Sequence, residues 1–234
     1  MTLVKICGLT TPADARAAAE AGADMLGVNL WPGSRRHVSR ATARAIRDAV
    51  HGGPTLVALF VDADATEIAD ALAETGITHA QLHGPVPAGA TPFIRATTPD
   101  AADDTAARWL LLDSHVPGER GGTGQTFDWT LARPHAARRP VMLAGGLTPA
   151  NVARAIAISG AQAVDVCSGV EVAPGVKDHG AIRDFVAAAK SATPSPSLRA
   201  ERSNPSPDAG AGTAGGRWIA ASPAASRNDA EVCP

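Results

Sequence analysis

The chain has 234 residues, 45% hydrophobic, 19% charged and only 3% aromatic, with 21 Lys and Arg against 23 Asp and Glu for a net charge of −2. That length suits one large α/β domain or two small ones. The balanced charge lacks the basic excess or patch of a nucleic-acid or membrane-surface protein. No apolar run approaches the ~18 residues that span a bilayer, and Met1–Lys5 enters a strand-like pattern at once, without the order of a secretion signal. A soluble, cytoplasmic protein is the expectation. Cys7, Cys167 and Cys233 are too few and too scattered for a disulfide framework, and their spacing suits no zinc site.

In chain order, the pattern predicts strand Leu3–Cys7, helix Pro12–Glu20, strand Met25–Asn29, helix Ala41–Val50, strand Leu56–Phe60 and helix Ala65–Glu74. Four strands follow, at Ala80–Leu82, Pro92–Ala96, Trp109–Asp113 and Val141–Ala144. Helix Pro149–Ser159, strand Ala163–Cys167 and helix Ile182–Lys190 complete the series. The strands are almost wholly apolar rather than alternating, as parallel strands buried on both faces must be. Pro12 and Pro149 sit in first helical turns, behind Thr10/Thr11 and Thr148 as expected N-caps. Gly8-Leu9-Thr10 with Gly22 and Gly146-Leu147-Thr148 with Gly160 repeat one strand–turn–helix unit. Such a repeat favours a closed (βα)₈ barrel. An open doubly wound sheet is the alternative, although no G-x-G-x-x-G follows a strand.

Between Leu82 and Pro92, two prolines and two glycines interrupt a short connection. A parallel crossover normally takes a dozen or more residues, usually helical, so the barrel is expected to lack one outer helix between strands 4 and 5. From Ser191 the chain turns to Pro, Ser, Ala and Gly without apolar periodicity. The expected organisation is therefore a catalytic barrel over 1–190 and a disordered low-complexity tail over 191–234.

In a (βα)₈ barrel the chemistry lies at the C-terminal ends of the strands and in the loops after them. Here those positions carry Lys5-Ile6-Cys7-Gly8-Leu9-Thr10, Ser34-Arg35-Arg36, Gln81-Leu82-His83-Gly84, Leu112-Asp113 and Gly121-Gly122-Thr123-Gly124 with Phe127-Asp128-Trp129. Leu143 to Val152, Asp165 to Glu171 and Pro174 to Asp178 complete the set. In this order the motifs resemble those of phosphoribosylanthranilate isomerase. The resemblance implies an Amadori rearrangement in tryptophan biosynthesis, turning N-(5-phosphoribosyl)anthranilate into 1-(2-carboxyphenylamino)-1-deoxyribulose 5-phosphate. The implied partner is a small phosphorylated substrate, with no metal, nucleotide or redox cofactor, and the chain would be a monomer or homodimer.

The resemblance implies Cys7 as the general base, whereas a cysteine ending a buried strand is by itself commonly an inert core residue. It implies Asp128 as the general acid; by residue type alone Asp128 would suit a helix N-terminus, and Asp113 is a competing carboxylate at a strand end. Arg36 is implied for the anthranilate carboxylate, with Arg35 beside it facing water. Gly145, Gly146, Ser168 and Gly169 follow strands 7 and 8, where this barrel class places phosphate. Gln81 and His83 are expected to line the pocket, and the glycines at 121–124 suit a mobile lid. Cys167 stands where the family more often has a small hydroxyl residue, and a thiol there could be oxidisable. Two rivals remain open: another barrel on a phosphorylated sugar-like substrate, such as indole-glycerol-phosphate synthase, and a phosphate-ligand binding protein without turnover.

Overall fold

A computed structural model of the chain describes residues 1–90, 93–102, 106–114 and 126–192. Eight parallel strands close on themselves in chain order: β1 (Leu3–Ile6), β2 (Met25–Asn29), β3 (Thr55–Val61), β4 (His79–His83), β5 (Ile94–Thr97), β6 (Trp109–Leu112), β7 (Val141–Leu143) and β8 (Ala163–Val166). The last strand returns to the first in register, Leu3 beside Ala163 and Ile6 beside Val166. The expected (βα)₈ barrel is the fold, and closure rules out the open sheet.

Period-two alternation divides the strand residues between two cores. Val4, Ile6, Leu26, Val28, Leu82 and Leu110 point outward into one apolar layer with the helices. Met25, Val57, Ile94, Leu111, Met142 and Ala163 fill the barrel interior. Both faces are therefore dry, which is why the strands read as unbroken apolar runs. The interior set is interrupted by Lys5 and Gln81, both buried.

Helices α1 (Pro12–Glu20), α2 (Arg40–Ala49), α3 (Ala65–Thr75), α4 (Arg133–Arg138), α5 (Val152–Ser159) and α6 (His179–Ser191) cover the outside. Local chemistry sets their ends. The Thr11 hydroxyl accepts from the Asp14 N–H ahead of Pro12 in α1, and the Asp64 carboxylate accepts from Glu67 N–H in α3. Asp178 accepts from the N–H groups of Gly180 and Ala181, starting α6 one turn before the expected Ile182. The expected cap at Thr148 is corrected by the structure. Asn151 accepts from the Thr148 N–H at 2.8 Å and donates to Gly146 O at 2.9 Å, which holds Pro149–Asn151 in a turn and delays α5 to Val152. His179 Nε2 lies 2.7 Å from Asp14 Oδ1, tying the last helix to the first.

As expected, no helix appears among the described residues between β4 and β5. Val86 and Ala90 pack there on the outer core instead, and Arg95 of β5 donates to the Gly84 carbonyl. The described residues between β5 and β6 also contain no helix. Between β6 and β7 a short 3₁₀ turn, Trp129–Ala132, leads into α4, which the sequence pattern did not show. A hairpin it also missed, β9 (Glu171–Ala173) with β10 (Val176–Lys177), follows β8. Gly175, at φ 81°, supplies the left-handed turn between them. The glycine loop at 121–124, Cys233 and the tail from 193 onward lie outside the described residues.

Candidate active site

The C-terminal ends of the strands surround a cavity of about 440 Å³. Its wall includes Cys7, Arg35, Arg36, Gln81, His83 and Asp113, together with Gly145, Gly146, Ser168 and Gly169. Nine of the site residues read from the sequence are Cys7, Arg36, Gln81, His83, Gly145, Gly146, Ser168, Gly169 and Asp128; all but Asp128 line this cavity. The strand order brings them together, because all but Gln81, which points inward from the middle of β4, stand at the last position of a strand or in the loop after it.

Cys7 directly follows β1, with its N–H donating to Val166 O at 2.8 Å. Below it, Lys5 is fully buried and its Nζ donates to Asp165 Oδ1 at 2.9 Å across the β1–β8 seam. Gly27 of β2 leaves the room for this. A Cβ added there would lie 2.8 Å from Cys7 Sγ and 3.1 Å from Lys5 Nζ. A hydrogen bond from Cys167 draws the Cys7 thiol down to about 7; burial and the charge of Asp165 oppose this, and the Lys5 and Lys177 ammoniums assist. Burial would discharge Lys5, but Asp165 and Cys7 hold it above its ordinary range.

Arg36 Nε and Nη2 clamp Glu171, with Nη2–Oε2 at 2.7 Å and Nε–Oε1 at 2.9 Å. The same carboxylate accepts from Lys177 Nζ at 2.8 Å. Burial would raise the Glu171 carboxyl, yet Arg36 and Lys177 hold it below the usual range. One edge of the guanidinium is thus fixed, and Arg36 still contributes to the cavity wall. Two cations on one carboxylate leave this side of the site positive. Sequence reasoning did not single out Glu171, Lys177, Lys5 or Asp165 for a role. The signal was a charged residue inside or just after an apolar strand, which is costly there unless paired.

Gly145 and Gly146 follow β7, with φ of 82° and 60°. A Cβ on Gly145 would lie 2.8 Å from Asp113 Oδ1 and 2.9 Å from the Ser114 nitrogen, so only glycine lets these backbones meet. Ser168 and Gly169 belong to a 3₁₀ turn after β8. The two segments bring glycine-containing backbone to the cavity wall from neighbouring strands.

The two candidate acids part company. Asp128 is exposed and caps the 129–132 turn, accepting from Thr130 N–H at 3.0 Å and Thr130 Oγ1 at 2.8 Å, and both bonds hold its carboxyl below the usual range. Asp113 sits on the cavity wall, and burial raises its carboxyl to about 6 against the Ser114 N–H bond, with the charge of Asp165 adding to the rise. Gln81 Nε2 lies 2.9 Å from His83 Nε2, while its buried Oε1 has no hydrogen-bond partner.

Comparison with known proteins gives this geometry a family. Residues 4–188 match the family model described as N-(5'phosphoribosyl)anthranilate (PRA) isomerase. The N-(5'-phosphoribosyl)anthranilate isomerase of Neisseria meningitidis serogroup B is 43% identical over 198 residues, 79% of this chain and 95% of that one. The enzyme of that name from Halobacterium salinarum is 44% identical over 218 residues, 85% of this chain and 100% of its own. Among solved structures, phosphoribosyl anthranilate isomerase from Thermus thermophilus superimposes with a TM-score of 0.73 at 37% identity, covering 81% of this chain and 99% of that one. A further isomerase structure, in complex with reduced 1-(o-carboxyphenylamino)-1-deoxyribulose 5-phosphate, gives 0.68 at 34% identity over 81% of this chain and 99% of that one.

Proposed function

Because the chain belongs to the N-(5'-phosphoribosyl)anthranilate isomerase family, we propose that the cavity performs its Amadori rearrangement with Cys7 as base and Arg36 and the two glycine turns as substrate anchors. The activity itself, an aldose–ketose isomerisation within tryptophan biosynthesis, comes with the family. The assignment of residues to steps is our reading. N-(5'-phosphoribosyl)anthranilate brings a phosphate at one end and a carboxylate at the other. The backbone of Gly145, Gly146, Ser168 and Gly169 suits the phosphate, and the guanidinium of Arg36 suits the carboxylate. The ribose then lies between them, over Cys7.

Protonation of the ribose ring oxygen opens the ring to an iminium. A thiolate at Cys7 then removes the C2′ proton to give an enolamine, and tautomerisation gives the ketone. The observation that carries this reading is a thiol near pH 7 on the cavity wall beside a buried ammonium, where a base of neutral strength is needed. We assign the acid to Asp128 on the resemblance of Phe127-Asp128-Trp129. As placed, its carboxylate is committed to Thr130, and donation would require that bond to be exchanged for one to the anionic substrate, whose charge favours the protonated form. Asp113 is the second reading, favoured by its place on the cavity wall and a carboxyl already near 6.

The test is the fluorescence decay of freshly made phosphoribosylanthranilate. Cys7→Ala should lose at least about 100-fold in kcat, the usual contribution of a placed acid or base. Full activity in Cys7→Ala removes the base assignment. Asp128→Asn and Asp113→Asn decide the acid: the true donor loses about 100-fold or more and the other stays within about tenfold. A folded but inert wild type would restore the binding-protein alternative.

A further inference from the structure

We infer that Glu171 is the positioning residue behind Arg36: it holds one edge of the guanidinium so that the other edge meets the substrate carboxylate, and the cavity thereby selects a substrate that carries one. The inference rests on Arg36 being the carboxylate anchor proposed above. Glu171 opens β9 and Lys177 closes β10, paired across the hairpin. Their side chains turn inward, 3% and 0% exposed, while Val172 and Val176 face solvent. The Thr10 hydroxyl donates to Gly175 O at 2.6 Å, pinning the hairpin turn to the loop after β1. What this short hairpin places in the interior is the Glu171–Lys177 pair.

Arg36 is held along its whole length. Its own N–H donates to Ser34 Oγ at 3.0 Å, which sets the loop from which the side chain reaches. Its stem lies against the turn after Cys7, where a Cβ on Gly8 would stand 2.7 Å from Arg36 Cδ. Its Nε and Nη2 both end on Glu171, and among the described residues the side chain has no other hydrogen-bond partner. A guanidinium is a planar fork of donors, so with the Nε–Nη2 edge taken the Nη1 group is left for a ligand. Glu171 is itself fixed from several directions. It accepts from Lys177 Nζ at 2.8 Å, and more weakly from Gly175 N–H at 3.4 Å and the Cys167 thiol at 3.7 Å. Among the described residues of the cavity wall are Arg36 but neither Glu171 nor Lys177. Glu171 therefore acts on a substrate only through Arg36.

Two cations and one anion leave the cluster with one net positive charge, the complement of one carboxylate. Charge and geometry make opposite predictions for the loss of Glu171. Removing an anion 2.7 Å from Arg36 Nη2 strengthens the pull of the guanidinium on a carboxylate, so charge alone predicts tighter binding. Losing the clamp frees the guanidinium to turn, so geometry predicts weaker binding. The inference commits to geometry. Glu171→Gln by itself would leave the fully buried Lys177 ammonium without its anion, which endangers the fold. Glu171→Gln/Lys177→Met removes both charges, keeps the single net charge of the wild-type cluster and loses the carboxylate clamp.

The experiment compares two inhibitors of the full-length protein: reduced 1-(o-carboxyphenylamino)-1-deoxyribulose 5-phosphate, and its phenylamino counterpart without the carboxyl group. Wild type should bind the carboxylated compound about 10–100-fold more tightly, the worth of a charge-assisted bond. In Glu171→Gln/Lys177→Met that preference should shrink about tenfold, through the carboxylated compound alone, with KM for phosphoribosylanthranilate rising by a similar factor. Unchanged binding of the phenylamino compound shows that the barrel and the phosphate end are intact. Arg36→Met should abolish the preference, and adding Arg36→Met to the double variant should do no further harm than Arg36→Met alone, because Glu171 reaches the ligand through Arg36. An undiminished preference in the double variant overturns the inference. Equal weakening of both inhibitors overturns it too, making Glu171 a support of the barrel. A preference absent from wild type, or surviving Arg36→Met, removes the anchor assignment instead, so the two failures are told apart.

Discussion

Lys5 is the most exacting residue of the barrel, because its ammonium is fully buried and held by Asp165 at 2.9 Å. Lys5→Met keeps the stem and removes the charge, leaving the Asp165 carboxylate, itself only 9% exposed in its side chain, without its cation. Breaking one side of a buried pair typically costs about 3–5 kcal/mol, far more than an exposed pair is worth. For a domain of this size 1 kcal/mol moves Tm by about 2–4 °C, so the loss in melting temperature should be ~6–20 °C. Lys5→Met/Asp165→Leu removes both charges and should recover most of that stability, since an apolar replacement of a buried pair is often neutral or better. Urea denaturation of the two single variants and the double variant closes the cycle. Activity separates the second role: in Lys5→Met the buried ammonium that helps lower the Cys7 thiol is gone, and the acid limb of kcat/KM moves upward in pH. A single variant costing under about 1 kcal/mol, or a double variant no better than either single, would refute the claim that the pair is desolvated and mutually dependent.

The Asp113 carboxyl, raised by burial to about 6, makes stability fall with pH. Its folded value lies above its unfolded one, so its favourable contribution is complete below about pH 4 and is lost as pH climbs through 6. Asp113→Asn should flatten the urea-midpoint profile between pH 4 and 6 and raise stability at pH 8 by roughly 2–3 kcal/mol; an unchanged profile means the carboxyl is not desolvated. Arg36→Lys loses the two-pronged grip on Glu171, so KM should rise about tenfold or more with kcat changed much less. Equal losses in both would place Arg36 in the chemistry instead. Gly145→Ala puts a methyl 2.8 Å from Asp113 Oδ1 at φ 82° and should cost about 1–3 kcal/mol with a raised KM, read by thermal melts and steady-state rates. Truncation after Ala192 should leave kcat unchanged, since every described residue of the cavity wall lies between Cys7 and Gly169; a large fall would give the tail a part in turnover.

The fold was legible because its signals are local. Eight apolar runs ending in glycine or polar residues predict strands buried on both faces, and those runs are β1 to β8 to within a residue or two. Where two local signals competed, the reading slipped. Thr148-Pro149 has the composition of a helix start, but Asn151 three residues on offers a side chain that satisfies Gly146 and Thr148 together, and that turn is what forms. The segment after Phe127 carries a proline, Pro134, inside a six-residue helix, too short for periodicity to register. The hairpin Glu171–Lys177 hides behind strands of three and two residues, below the length at which alternation is a pattern at all.

The site divides along another line, between residues announced by their own neighbourhood in the chain and residues defined by a partner far away. Cys7, Arg36 and the glycines after β7 and β8 stand at strand ends, where the barrel alone makes them candidates. Lys5 looked like a strand interior because nothing nearby in sequence balances its charge; Asp165 does so from 160 residues away, across a seam that exists only once the barrel closes. The same closure brings Glu171 to Arg36 over 135 positions and sets Cys167 beside Cys7. All three pairings span the two ends of the folded chain, so the base is tuned by the final closing event of the topology. A lesion that loosens the β1–β8 seam should therefore raise the pH at which Cys7 ionises before it unfolds the protein. Destabilising α6, which His179 ties to α1 and Lys190 ties to Asp24 beneath β1, is the way to see it. In Lys190→Ala, alkylation of Cys7 at pH 7 should slow at denaturant concentrations where far-ultraviolet circular dichroism is still native, and coincident transitions would show instead that seam and barrel are one cooperative unit.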